Sequence, residues 1–304
     1  MRFLREVQNP DGGWGYRPAN RSAVEPTCWA LLALAGTHEG TGLERAASRG
    51  RDWLLATQLP DGSWPAFPGQ QEGCWVTPLA CLALREHDAA PDALAKGLNW
   101  LCDAWPGEST LWQRLRLRLF APSSQVRQNH SLRGWSWTPS TGSWVEPTAY
   151  ALILLRNLFP GVGPRRVLKR RQLAEAMLYD RMCPEGGWNS GNPFVYGVAG
   201  DPLIGPTVWA LLALQKHRER AENRKSLDWL AGVYEQAQGP GSLALAHICL
   251  ETYGRAPWPL EPELKRLYQM NRFLENVVVA AFAAMALDPA AGWRRWAAGG
   301  APQP

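Results

Sequence analysis

The sequence lacks the features that mark a membrane-spanning or exported protein. Its long apolar run near the C-terminus, from Val277 to Leu287, has eleven residues, whereas a helix needs about 20 to cross a bilayer. The first ten residues contain no apolar signal region and no small-residue cleavage site. We therefore expect a cytoplasmic chain whose apolar stretches lie in a protein core.

Paired cysteines and a strong charge are absent as well. Six cysteines are spread along 304 residues without a Cys-x-x-Cys pair, so we expect reduced, buried thiols. The 32 Lys and Arg residues exceed the 27 Asp and Glu residues by only five. Because this small excess is not concentrated in one arm or tail, nucleic acid is not an expected partner.

Tryptophan, in contrast, is abundant, with 17 residues against seven Phe and seven Tyr. Part of it belongs to a repeated turn, Gln-x-Pro-Asp-Gly-x-Trp, which occurs at residues 8–14 and 58–64 and has degenerate copies that end at Trp135 and Trp188. Each turn precedes an apolar segment with a Thr near its start, 13 residues after the Trp in three copies and 19 after it in the fourth. These threonines are Thr27, Thr77, Thr148 and Thr207.

The apolar segments alternate with amphipathic ones. Residues 92–105, for example, place leucines at helical spacing with polar residues between them. Together with a short opening segment before Gln8, six outer and six inner helices are predicted. Where the motif is present, Pro lies near the first helical position and the Thr beside it can assist the helix cap. Such helices bury their apolar faces by stacking into a solenoid or closing into a ring. The fold class is all-α.

One segment interrupts the repeat. The step from Trp64 to Trp135 is 71 residues, against 50 from Trp14 to Trp64, so about twenty residues are inserted near 106–132. Within the insertion, leucine and arginine alternate over residues 111–120. Such a segment is either solvated surface or a site of peripheral contact with an anionic membrane.

These turns and the Pro-Thr-x-aromatic-Ala-Leu helices that follow them resemble the prenyltransferase/squalene oxidase repeat family. That family contains the squalene-hopene and oxidosqualene cyclases and the β subunits of protein prenyltransferases. The resemblance covers about residues 1–290 and leaves 291–304 as a tail. It implies one α/α toroid of six inner and six outer helices around a cavity that holds an isoprenoid in relatives. It also implies that Gln8, Trp14, Gln58 and Trp64 tie helices together at the periphery.

The catalytic signatures of that family are missing. Neither the Asp-x-Asp-Asp acid motif nor the Asp-Asp-x-x-Asp motif for magnesium and diphosphate occurs, and Glu72-Gly-Cys74 is the nearest string to the zinc-binding Asp-x-Cys of the prenyltransferases. Zinc needs three or four ligands, so no metal or other cofactor is predicted. A helical partner subunit of the prenyltransferase kind stays open, although nothing in the sequence indicates one.

Candidate catalytic residues emerge when the inner helices are aligned on their threonines. Two residues before the Thr stand Glu25, Trp75, Glu146 and Gly205, and four residues further, on the same helical face, stand Trp29, Leu79, Tyr150 and Trp209. A carboxyl group among aromatic rings has a raised pKa and can donate a proton, while the rings stabilise a cation. Glu25 and Glu146 are therefore the predicted catalytic acids. The predicted substrate-binding residues are Trp29, Trp75, Tyr150, Trp209 and, in the widened fourth loop, Tyr196.

The same pattern also has a purely structural interpretation. A Glu in the first turn of a helix interacts favourably with the helix dipole, and an aromatic residue one turn later packs against the next helix. Two functions therefore stay open. One is a cyclase or isomerase that acts on an isoprenoid by acid chemistry, and the other is a noncatalytic toroid that binds a hydrophobic ligand or a protein.

Overall fold

The computed structural model describes residues 1–36, 42–107, 128–234, 236–237, 239–255 and 259–288, together with residues 110, 112 and 115. All structural statements below refer to these residues. The predicted tail 291–304 lies outside them, as do the 106–132 insertion and its 111–120 segment in large part.

Helices of two kinds alternate along the described chain, as predicted. The inner helices are α2 (Val24–Leu34), α4 (Thr77–Glu86), α6 (Val145–Leu158), α8 (Ile204–Ala213), α10 (Pro240–Thr252) and α12 (Val277–Leu287). The outer helices are α1 (Arg2–Glu6), α3 (Gly42–Ala56), α5 (Pro91–Asp103), α7 (Arg165–Asp180), α9 (Ala221–Tyr234) and α11 (Leu260–Asn271). A two-stranded antiparallel hairpin, β1 (Phe194–Val195) and β2 (Val198–Ala199), lies between α7 and α8.

The inner helices form a closed ring. Each one contacts the next inner helix along the chain, and α12 contacts α2. In α2 every residue except Glu25 is buried, as expected for a helix enclosed by neighbours on both sides and by an outer helix. The ring with its outer layer is the predicted α/α toroid, and ring closure excludes the open solenoid.

The tryptophan of each repeated turn connects an outer helix to an inner one. The Trp14 indole N–H donates to the Leu4 carbonyl of α1 at 2.7 Å, and the Trp14 backbone N–H donates to the Thr27 hydroxyl of α2 at 2.9 Å. The other three copies repeat both bonds. Their indoles donate to the carbonyls of Leu54, Leu101 and Leu178, and their backbone N–H groups donate to Thr77, Thr148 and Thr207.

This pair of bonds explains the constant spacing between Trp and Thr. In the fourth copy the six additional residues form the β1–β2 hairpin, and the bond from Trp188 to Thr207 persists at 2.8 Å. The N-cap residues of α2, α4, α6 and α8 form no side-chain cap bond. The Thr27 hydroxyl donates to the carbonyl of the N-cap residue Ala23 at 2.8 Å, and each threonine hydroxyl accepts from a buried backbone N–H of its turn.

The glutamines of the turns connect neighbouring repeats, as the family resemblance implies. The Gln8 amide donates to Gly12 of its own turn at 2.7 Å and to Ala46 of α3 at 2.8 Å. Gln58 makes the corresponding bonds to Gly62 and to Ala93 of α5, both at 2.9 Å. Each turn is thereby fixed to the outer helix that follows it.

A further set of backbone bonds, which the sequence did not predict, closes the ring at the start of the inner helices. The first N–H of α2, donated by Val24, binds the carbonyl of Ala66, two residues after the Trp of the next turn. Trp75 and Val145 bind the equivalent carbonyls of the turns that follow them. Val277 of the last inner helix binds Tyr16 in the first turn at 2.9 Å, which joins the two ends of the ring.

The cysteines and the helix lengths of the described residues bear on two predictions from the sequence. All six cysteines are buried and none forms a disulfide, in agreement with the expected reduced thiols. No helix in the ranges given above has both the length and the apolar character that a bilayer span requires.

The bond between turn and inner helix gives a first test. Thr148→Val keeps the shape of the side chain but leaves the buried Trp135 N–H without an acceptor, which we expect to lower the free energy of unfolding by about 1–3 kcal/mol. Thr148→Ser retains the hydroxyl and is the matched control. Urea unfolding of both variants measures the difference, and equal stability of the two variants contradicts the assigned role.

Candidate functional site

Six partly exposed residues occupy equivalent positions at the N-terminal ends of the inner helices, and we call this end of the ring the cup. These rim positions are Glu25, Trp75, Glu146, Gly205, Gly241 and Val278. One turn deeper in the same helices, the residues Trp29, Leu79, Tyr150, Trp209, Leu245 and Phe282 are all buried. No heavy atom lies within 4 Å of the place where a Cβ on Gly205 would stand, so the cup has open space on that side.

Aromatic rings from four inner helices form the floor of the cup. Trp29 stacks on Trp209 with ring centres 5.1 Å apart, and Phe282 meets Trp29 edge-on at 4.9 Å. Tyr150 lies 5.1 Å from Trp209 and 5.9 Å from Trp75. The structure therefore brings together four of the five predicted substrate-binding residues. Phe282 was missed, because its helix lacks the turn motif on which the alignment rests.

Glu25 is held by a tyrosine from its own turn. The Tyr16 hydroxyl donates a short hydrogen bond to Glu25 Oε2, and the Trp29 indole nitrogen lies near the same carboxyl group without reaching hydrogen-bond geometry. Burial raises the pKa of Glu25 above its ordinary value, and the bond from Tyr16 opposes that shift. Sequence reasoning missed Tyr16, although its place two residues after the repeated Trp is a usable signal.

Glu146 occupies the equivalent position in α6 in a different environment. Its Oε2 atom is buried and has no hydrogen-bond partner. Burial raises the pKa of Glu146 to about 7, against the opposing effect of a backbone N–H in its own turn. Both carboxyl groups influence the same tyrosine. The pKa of the buried Tyr150 is raised mainly by desolvation and further by the charges of Glu146 and Glu25. The cup therefore holds two carboxyl groups near one aromatic cluster.

Tyr196 is placed apart from this cluster. It lies in the turn of the β1–β2 hairpin with a positive φ of 51°, and it is 75% exposed. Its ring makes no contact with the aromatic rings of the floor. A role of Tyr196 in substrate binding remains a prediction for a ligand that extends out of the cup.

The described residues contain no group of three or more His, Cys, Asp and Glu side chains placed to hold a metal ion. Glu72 and Cys74, the nearest match to a prenyltransferase zinc motif, lie on the loop before α4, outside the floor of the cup. The arrangement in the cup itself, carboxyl groups over aromatic rings, is suited to proton transfer and to the stabilisation of a cation.

Known proteins provide an independent comparison. Residues 1–70 match the family model of the squalene-hopene cyclase C-terminal domain. Over 69 residues the chain is 41% identical to drimenyl diphosphate synthase from Streptantibioticus cattleyicolor, which covers 23% of this chain and 12% of that protein. These matches agree with the resemblance of the repeated turns to the prenyltransferase/squalene oxidase repeat family. The N-terminal 70 residues are similar to that family's squalene-hopene cyclase model, and the fold of the chain is similar to that of a type II terpene cyclase.

Solved structures of similar fold extend over nearly the whole length of this chain. The type II terpene cyclase MstE from Scytonema, in complex with merosterolic acid A, has a TM-score of 0.58 at 13% identity, with 97% of this chain and 94% of that chain covered. Cellobiose 2-epimerase from Spirochaeta thermophila has a TM-score of 0.58 at 12% identity, covering 91% and 79%. At these identities the likeness shows the fold alone, and two different reactions on one fold mean that function has to be argued from the site.

The chain spans well under two thirds of the length of the curated relatives it matches. The aligned parts cover 12% of the drimenyl diphosphate synthase and 10% of mouse lanosterol synthase. The activities of those whole proteins are therefore treated as proposals for this chain.

The raised pKa of Glu146 predicts a pH-dependent stability. A carboxyl group with a pKa of about 7 in the fold, against about 4.3 in the unfolded chain, binds its proton more tightly when folded, so the free energy of unfolding falls as pH rises between these values. Glu146→Gln removes this loss. We expect the variant to gain about 2–3 kcal/mol on the wild type between pH 5 and pH 8, measured by urea unfolding at both values. The exposed Glu185→Gln is the control, and parallel pH profiles of wild type and Glu146→Gln contradict the prediction.

Proposed function

We propose that the chain is a terpene-cyclase-like enzyme that cyclises or isomerises an isoprenoid by acid chemistry in the cup. The observation that carries the proposal is the buried, unpartnered Oε2 of Glu146, whose carboxyl pKa is about 7, beside an aromatic floor. A carboxyl group that is partly protonated near neutral pH is matched to proton donation. Since the family's Asp-rich acid motif is absent from this sequence, the acid has to come from another position.

In the proposed reaction the Glu146 O–H bond breaks and its proton forms a C–H bond at one carbon of an alkene. The π electrons of that alkene form the new bond, and its other carbon becomes a tertiary cation. A second alkene attacks this cation in a cyclisation, and loss of a neighbouring proton ends the sequence with no net change in composition. In this proposal the carboxylate of Glu25 accepts that last proton, and proton exchange with water restores both groups.

The two glutamates suit different roles because their partners differ. The bond from Tyr16 stabilises the charged form of Glu25, as a base requires, whereas no donor side chain satisfies Oε2 of Glu146. The rings of Trp75, Tyr150 and Trp209 have negative π faces that attract a developing cation, and their apolar surface can enclose an apolar chain. The roles of Glu25 and Glu146 are therefore assigned from the hydrogen-bond partners of each carboxyl group, because their sequence positions are equivalent.

A hydrophobic small molecule fits this site best. The floor consists of buried aromatic rings, and the described rim contains no Lys or Arg. The relative MstE has been solved with geranylgeranyl dihydroxybenzoate as substrate, and we extend that kind of ligand, an isoprenoid chain, to this cup.

Variants of the two glutamates test the mechanism. We expect Glu146→Gln to lower turnover of a polyprenyl substrate by about 10²–10⁴-fold, the usual contribution of a general acid, and Glu25→Gln to lower it less. Product formation from squalene, geranylgeraniol and geranylgeranyl diphosphate is measured by gas chromatography and mass spectrometry. Glu185→Gln, on the exposed surface, is expected to retain full activity. Wild-type turnover by Glu146→Gln would remove that residue from the mechanism.

The open space beside Gly205 allows a test of ligand position. Gly205→Phe places a ring in the cup where no atom is in the way, so we expect it to block ligand binding with little loss of stability. Gly232→Phe, on outer helix α9, is the matched control, since no heavy atom lies within 4 Å of its Cβ position either. Retention of an isoprenoid during purification, measured by mass spectrometry of organic extracts, should be lost in the first variant and kept in the second. Equal retention would place the ligand elsewhere.

A noncatalytic toroid is the second candidate function. It is favoured by the mutual packing of Trp29, Tyr150 and Trp209, whose rings are in contact with one another without a ligand. An isoprenoid that co-purifies with the protein but is not converted would support this alternative. Peripheral membrane contact through residues 111–120 stays a proposal, because only Trp112 and Leu115 of that segment are described, and both are exposed.

A further inference from the structure

A second pocket lies beside the ring, between the second and third repeats. It has a volume of about 350 Å³, within the range of about 300–1,000 Å³ that is usual for small-molecule sites. The loop before α4, the end of α5 and the third repeated turn form its walls. Its lining includes Glu72, Trp75, Trp100, Asp103, Trp105 and Trp135. Trp75 lines this pocket and also lies 5.9 Å from Tyr150 of the floor, so the two sites share one indole.

The charged side chains of the described lining are carboxylates. They are Asp61, Glu72 and Asp103, and the lining contains no Lys, Arg or His, while Arg133 and Arg170 contact two of its indoles, Trp105 and Trp135. Asp61 is already used by its turn, where it accepts from the backbone N–H and the hydroxyl of Ser63. Glu72 forms no hydrogen bond or ion pair with another described residue, and Asp103 has only an electrostatic interaction with the buried Arg170 and with Cys102. Glu72 is therefore the carboxylate most available to a ligand.

Indoles of this wall already bind cationic groups through their faces. The Arg170 guanidinium lies 4.0 Å from the ring centre of Trp105 and 3.9 Å from that of Trp135, and Arg133 lies 5.1 Å from Trp105. These distances are those of cation–π contacts. Trp75 and Trp100 line the same pocket and are partly exposed, and no Lys or Arg of the described part of the chain lies over their rings.

Trp100 and Glu72 lie close enough to act on one ligand. A Cβ on Gly73, the residue after Glu72, would stand 3.3 Å from Cζ2 of Trp100, so the backbone that carries Glu72 packs on that indole. An aromatic face beside a carboxylate is a suitable site for an ammonium group, because the ring and the anion attract the same charge.

We propose that this pocket binds a small, soluble organic ammonium ion, with Trp100 and Glu72 as its principal contacts. The apolar part of such a ligand would lie against the other indoles of the lining. This site is separate from the catalysis proposed for the cup.

Calorimetric titration of the full chain with choline, at low ionic strength, tests the proposal. The uncharged 3,3-dimethyl-1-butanol has nearly the same shape, and we expect choline to bind at least about tenfold more tightly. Glu72→Gln and Trp100→Phe should each weaken choline binding by about threefold to tenfold. Asp92→Asn removes an exposed carboxylate of the same helix α5 that does not line the pocket, and it should leave binding unchanged.

Three results would overturn the proposal. They are no choline binding by the folded wild-type chain, equal affinity for choline and the uncharged analogue, or wild-type affinity in both Glu72→Gln and Trp100→Phe. The double variant Glu25→Gln, Glu146→Gln should retain choline binding, and loss of binding there would mean that the ion enters the cup instead. Thermal unfolding of each variant verifies that it is folded. Failure of the cup's proposed chemistry would leave the choline result unaffected, so the two proposals fail separately.

Discussion

The hydrogen bond from the backbone N–H of each repeated Trp to a threonine hydroxyl is the constraint on which the described site depends. That N–H is buried and outside regular secondary structure, so it needs a fixed acceptor. The indole N–H of the same residue binds the preceding outer helix. One residue therefore fixes the start of an inner helix relative to its turn and its outer helix. Glu25 and Glu146 each stand two residues before such a threonine. Because the same hydrogen bonds fix both helix starts, the two glutamates occupy equivalent positions in the ring.

The repeated sequence motif made the fold predictable. The individual hydrogen bonds that the repeated residues form could not be predicted from it. Constant spacing between Trp and Thr indicated equivalent helices, and the inner helices begin within a few residues of the predicted positions. The spacing could not tell that the Thr27 hydroxyl accepts a hydrogen bond from the Trp14 backbone N–H. The position two residues after Trp was also overlooked, although its carbonyl joins neighbouring repeats. The pocket beside Trp100 was out of reach, because it arises where segments distant in the sequence meet.

The same overlooked position explains why two equivalent glutamates differ. In the first repeat it is Tyr16, whose hydroxyl reaches Glu25. In the third repeat it is Trp137, whose ring packs edge-on against Trp75 at 4.8 Å and donates no hydrogen bond to Glu146. A change of one aromatic residue between repeats thus leaves one carboxyl group with a donor and the other without. Sequence symmetry predicted two similar acids, and the structure makes them different.

The position of Glu146 also sets two physical effects against each other. At the first turn of a helix, the dipole and the exposed N–H groups favour the charged carboxylate, and a backbone N–H in this turn does lower the pKa of Glu146. Burial favours the neutral form and is the larger effect. Because the helix terminus limits the shift, the pKa lies at about 7 rather than far above it. Both protonation states are then accessible near neutral pH, which a group needs if it is to give up a proton and recover it in each turnover.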